Sequence, residues 1–256
     1  AADGAYRLPL PVGALTISQQ FLRANDVPKT NEVTLGSAAV FNYSPQLRSL
    51  TQLDYAAERL GWLERVRANL SLNLQKEGEV IVRRATPSKN TDERTQVTTP
   101  GLLLQAGNTL AAGPGTHGIT YGFEGYRDQF DTRKACTPGT SSCSNADRTA
   151  TTHDGVSYRS LGLFVQDEWS GRWGSVIAGA RYSGYQAKGR AGGRDLALDV
   201  SQATGSLQGL LGINPHWGLI AGVSQGFRAP NIEDFFGRVD FGEEIPNLDL
   251  KPEQSL

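Results

Sequence analysis

The chain has 256 residues, with 25 basic against 26 acidic side chains and a formal net charge of −1. That balance gives no field strong enough to select nucleic acid or an acidic substrate. No run approaches the ~18 consecutive apolar residues of a membrane-spanning helix, and without an initiating Met a processed or partial chain is expected.

Period-two alternation runs almost throughout. Strands are expected at roughly 13–22, 46–56, 65–78, 94–106, 117–130, 157–169, 174–187, 200–213 and 217–228, with a tenth starting near Lys251. In "RVRANLSLNLQ", Val66, Ala68, Leu70, Leu72 and Leu74 oppose Arg67, Asn69, Ser71, Asn73 and Gln75. Leu161, Leu163 and Val165 likewise oppose Ser160, Gly162 and Gln166, and Ala178 and Val223 oppose Arg181 and Ser224. "DYAAERLGWLERV" at 54–66 resembles a short helix, but its flanks alternate at period two, so a tight turn is expected there. Glu124, Asp128 and Arg181 fall on polar-face positions.

Many of these strands exceed the ~5–6 residues usual in globular sheets. The gaps run long, then short, along the chain, which fits an up-and-down barrel with tight turns at one rim and long loops at the other. Tyr55, Trp62, Trp169, Trp173, Tyr182, Tyr185 and Trp217 lie near strand ends, as interfacial aromatics do. A soluble all-β protein gives no reason to gather the long gaps at one end. The expected fold is therefore an antiparallel transmembrane β-barrel, here a partial one of nine to ten long strands.

Other motifs carry little. Gly222-Val-Ser224-Gln-Gly226 matches the nucleophile elbow of hydrolases, but the last histidine, His216, precedes Ser224, which breaks that chain order. Gly113 to Gly118 matches a dinucleotide fingerprint, but a strand follows it instead of a helix. His117 and His216 sit beside short turns. Cys136 and Cys143 are close in a polar loop; they are either free thiols or a local disulfide, and their spacing favours the bridge and an oxidising compartment. The acidic stretch Glu233, Asp234, Asp240, Glu243, Glu244 and Asp249 reads first as a solvated loop.

Three boxes in order, "GLFVQDEWSGRWGSVIAGARYSGYQ", "VSQGFRAPNIEDFFG" and "IPNLDLKPEQS", together with Ile119 to Glu124, resemble the barrel of TonB-dependent outer-membrane receptors. The resemblance covers most of 13–256. It implies a transporter of the bacterial outer membrane and no enzyme, taking up an iron-siderophore or haem with energy from the TonB complex. The plug domain through which TonB acts is expected outside this chain, and outer-membrane lipid is the surrounding partner. No catalytic residue, resident cofactor, metal or nucleic acid is expected. Residues 229–249 become an extracellular loop, with ligand contacts expected from Arg228, Asn231, Glu233, Asp234, Phe236 and, on the cysteine-bearing loop, His153. Haem receptors of this kind carry a histidine between the boxes, and 231–245 contain none. A passive porin-like barrel is the alternative, and a β-rich hydrolase using Ser224 the remote one.

A bridge between Cys136 and Cys143 closes a small loop and contributes about 2–3 kcal/mol in the chain-entropy model. Intact mass of protein isolated from the oxidising compartment should lie two hydrogens below the dithiol value. Two alkylatable thiols exclude the bridge.

Overall fold

The structure is a computed structural model describing residues 1–30, 33, 38–85, 90–136, 155–191, 194–232, 234 and 249–256, with 134–136, 191 and 194 described by backbone only. It is all-β. Strands β1 (Ala2–Pro9), β2 (Ala14–Ala24), β3 (Val27–Pro28), β4 (Ala38–Leu60), β5 (Leu63–Arg83), β6 (Thr91–Ala112), β7 (Gly115–Cys136), β8 (Ser157–Gly171), β9 (Gly174–Ala191), β10 (Arg194–Asn214) and β11 (Trp217–Ser224) form one antiparallel sheet. Neighbours in the chain are neighbours in the sheet, except that β3 is a short addition to β4. β12 (Gly226–Arg228) and β13 (Glu253–Ser255) pair separately. Among the described residues the sheet is not closed, and β1 and β11 are its edges.

The expectation of nine to ten strands is corrected in three places. β1 precedes the first expected strand, because "ADGAYRLP" mixes Gly, Pro and charges without a clear apolar face. The strand expected over 217–228 breaks at Gln225, whose backbone N–H donates to the Gly205 carbonyl while its side-chain oxygen accepts from the Gly205 N–H. Strands β4 to β7 are 21 to 23 residues long, so the gaps expected at 57–64 and 107–116 shrink to the turns 61–62 and 113–114. The gap expected at 188–199 is likewise mostly strand, β9 ending at 191 and β10 starting at 194. Gly61 and Gly113 open their turns at φ of 62° and 57°, the left-handed conformation that glycine adopts without steric cost.

Directly paired residues share a face of the sheet. One row reads Leu8, Leu15, Tyr55, Ala68, Leu104, Phe123, Leu163, Tyr182 and Ala203 across nine strands. The next row on the opposite face reads Arg7, Thr16, Asp54, Asn69, Leu103, Glu124, Gly162, Ser183 and Gln202. Leu70, Leu163, Val165, Ala178 and Val223 fall on the first face, and Ser71, Gln166, Arg181 and Ser224 on the second. The apolar face is left uncovered: Leu70, Leu163 and Val223 are 53%, 56% and 53% exposed. A water-soluble sheet would bury that face. Lipid is the solvent that suits it.

The apolar belt crosses the rows obliquely. On β5 it runs from Val66 to Leu74, between Glu64 and Lys76, and on β11 from Leu219 to Val223. Followed along the ladder to β10, Leu74 lies level with Ala197, whereas Val223 is level with Leu207, ten residues further on. The lower limit drifts by six residues, from Gly205, level with Val66, to Leu211, level with Leu219. A mean drift of about 27 Å over six inter-strand steps of ~4.8 Å corresponds to a tilt of roughly 40°. At that tilt, the polar limits Arg127 and His117 on β7 stand about 25 Å apart along the membrane normal, the height of an outer-membrane apolar band.

Leu163→Arg, in mid-belt, should therefore destabilise the folded barrel by about 2–4 kcal/mol. Gln166→Arg on the opposite face should change it by less than about 1 kcal/mol. Urea unfolding from lipid vesicles compares the two. Equal losses exclude the assignment of faces.

Candidate functional site

The inner face carries charge that is paired within the wall. Glu124 and Arg181 form an ion pair, and Arg181 Nε also donates to Ser183 Oγ at 2.9 Å. Gly162 is in register with Glu124 and Ser183, and the Arg181 side chain reaches across it. A Cβ there would strike the Arg181 guanidinium, so the missing side chain makes room for the pair. Asp54 accepts from Arg67 Nε at 2.8 Å and from Asn69 Nδ2 at 3.1 Å. Pro100 interrupts the ladder of a central strand: pairing between β6 and β7 lapses at Thr99 and Pro100, and the Thr99 hydroxyl bonds Asp128 Oδ1 at 2.6 Å.

Toward the long-loop end the inner face turns apolar. Val156, Ala187, Leu198 and Ile232 are buried together, against Phe130, Tyr158, Leu196, Val200 and Leu250. Tyr158, Tyr185 and Phe227 stack in series, with centroids 6.0 and 5.7 Å apart. Outside, the same level is polar: Arg127, Arg159, Gln186 and Asp199 share one row. The base of the loop after β7 is closed by Phe130 N–H to the Val156 carbonyl at 2.9 Å and Gly155 N–H to the Phe130 carbonyl at 3.0 Å.

Residues 226–232 and Asp234 seat on this inner surface. Arg228 donates from Nη1 to Glu253 Oε1 at 2.9 Å and from Nη2 to Asp234 Oδ2 at 3.2 Å. Asp234 N–H donates to Asn231 Oδ1 at 2.7 Å and Asn231 N–H to Asp234 Oδ2 at 3.0 Å, the reciprocal pattern of a helix capping box. Arg228, Asn231 and Asp234 thus form one cluster. Glu233, Phe236, His153 and Cys143 lie outside the described residues, and Cys136 ends β7 by backbone alone. Sequence reasoning missed Ile232 and Tyr158, and Tyr185, expected among the interfacial aromatics, faces inward. The positional parity of the two tyrosines, even on β8 and odd on β9, was the available signal. Ser224 faces Ser206 in the ladder, as a wall residue. Among the described residues no group of His, Cys, Asp and Glu is arranged to hold a metal.

A sheet of long tilted strands, apolar on one face and polar on the other, is the wall of an outer-membrane β-barrel. The family model for TonB-dependent receptor-like β-barrels matches residues 3–256, and the chain belongs to that family, whose members are receptors of the bacterial outer membrane. An iron-regulated outer membrane virulence protein of Vibrio cholerae is 27% identical over 177 residues, covering 66% of this chain and 23% of that protein. The haemophore receptor HasR of Serratia marcescens, solved with its haemophore HasA and haem, superimposes with a TM-score of 0.66 at 14% identity over 98% of this chain and 47% of that one. The copper transporter OprC superimposes with a TM-score of 0.73 at 15% identity, covering 98% of this chain and 41% of that one. This chain therefore spans less than half the length of these relatives.

Burying one Ile side chain is worth about 1.5–3 kcal/mol. Each exposed ion pair is worth about 0.2–1 kcal/mol. Ile232 thus outweighs Arg228 in seating the segment. Amide hydrogen exchange at 227–234 should accelerate more for Ile232→Ala than for Arg228→Ala, by a factor of about ten. The reverse order assigns the seating to the ion pairs.

Proposed function

We propose that this chain forms wall and mouth of a receptor that takes up a scarce iron chelate or haem, energised by TonB through a plug domain. The observation that carries this reading is the seating of 226–232 and Asp234 on the inner wall. The segment after β12 starts its loop over the lumen instead of merely ending a strand. Arg228 sets the base of that loop, and Phe236 beyond it reaches the ligand. Support for iron comes from the iron-regulated relative and from the haemophore receptor whose structure holds haem. The described mouth offers phenols, amides, carboxylates and a guanidinium. That set binds the periphery of a chelate instead of its metal.

Growth of a deletion strain on a panel of iron sources, with and without TonB, identifies the ligand. In the intact receptor, Phe236→Ala and Arg228→Ala should each lower uptake about five- to tenfold at normal surface level, the loss of about 1–1.4 kcal/mol of binding. Unchanged uptake in both variants removes the loop from binding. TonB-independent uptake favours a passive porin instead.

A further inference from the structure

On the lipid-facing surface a polar pair marks the short-turn edge of the apolar belt. His117 Nδ1 and Asp167 Oδ2 lie 2.8 Å apart, across β7 and β8. Both residues sit on outward positions near the short-turn rim: His117 shares a row with Trp169 and Val176, and Asp167 shares one with Ile119 and Ala178. The side chains are 32% and 39% exposed, so the pair is neither a core contact nor fully in water. Asp167 Oδ1 is shut off from solvent with no partner, which leaves Oδ2 as the reachable oxygen. The Nδ1 contact to Asp167 leaves Nε2 of His117 for an external group.

Beside the pair an apolar groove of about 440 Å³ runs down the same surface, walled by Trp169, Trp173, Val176, Leu211 and Leu219 and floored at Gly209. A Cβ at Gly209 would meet nothing within 4 Å, so its missing side chain deepens the groove. Because the belt drops toward β11, this groove lies in the acyl zone while His117 and Asp167 lie at its headgroup edge.

We propose that His117, Asp167 and the adjoining groove bind one phospholipid of the inner leaflet, with a primary-ammonium headgroup. The ammonium binds the Asp167 carboxylate, and a phosphodiester oxygen accepts from Nε2–H of His117. One acyl chain fills the groove. The choice follows from charge complementarity: a carboxylate beside an imidazole N–H donor is met by the ammonium and the phosphate of a zwitterionic headgroup. A low-dielectric interface strengthens such pairing relative to water. An ammonium with N–H groups can hydrogen-bond the carboxylate, whereas a quaternary choline cannot.

The test is native mass spectrometry of the intact receptor, reconstituted in vesicles of equal phosphatidylethanolamine, phosphatidylcholine and phosphatidylglycerol and then exchanged into detergent. The ethanolamine lipid should be retained about tenfold over the choline lipid. Asp167→Asn, nearly isosteric, and His117→Phe should abolish that preference while heat-modifiable migration stays normal. Equal retention of ethanolamine and choline lipids, preferential retention of the glycerol lipid, or an unchanged preference in folded variants would each overturn the proposal. The contrast among lipids in the unsubstituted protein decides the matter even where a variant does not fold.

Discussion

In hydrocarbon no water is available to take a backbone N–H or C=O, so each must find a partner within the protein. Everything else in this structure follows from how the chain meets that constraint. An antiparallel ladder satisfies every strand by its neighbours, and it forces side chains to alternate between lipid and lumen. The same ladder explains the handling of its exceptions. Pro45 sits where the β4–β5 register shifts between Tyr43 and Gln46. Pro100 falls where β6 and β7 stop pairing, and Thr99 turns its hydroxyl to Asp128 there. At Gln225 the strand breaks, and a side-chain amide substitutes for the missing ladder bond.

Lumenal charge obeys a related rule. A carboxylate or guanidinium facing a confined space is costly unless paired. The wall pairs Glu124 with Arg181 and Asp54 with Arg67. Each such pair presents oriented hydrogen-bonding groups instead of a bare charge. Gly162 shows the steric side of that arrangement, since the ion pair occupies the volume its side chain would fill.

The faces of the sheet were legible because a period of two is short: five or six residues of alternation assign every neighbour by parity. Strand ends were not legible for a physical reason. Beyond the belt both faces meet polar surroundings, and alternation fades, as in "TDERTQV" at 91–97, which is strand all the same. The oblique belt was invisible too, because tilt exists only in the register between strands. At the mouth, Arg228 and Asp234 stood out as charges beside a proline. Ile232 did not, because one apolar residue in an acidic loop has no period.

That buried isoleucine follows from an inversion of polarity along the strands. Within the membrane the outer face must be apolar and the inner one can be polar. Above it water bathes the outside, and Arg127, Arg159, Gln186 and Asp199 appear there. The inner face at the same level then turns apolar, with Phe130, Tyr158, Leu196 and Leu198. Such a surface is unstable while wet and needs a cover. β12 supplies Phe227 and the segment after it Ile232 as that cover, tied at its base by Arg228. A loop held this way begins from a fixed platform.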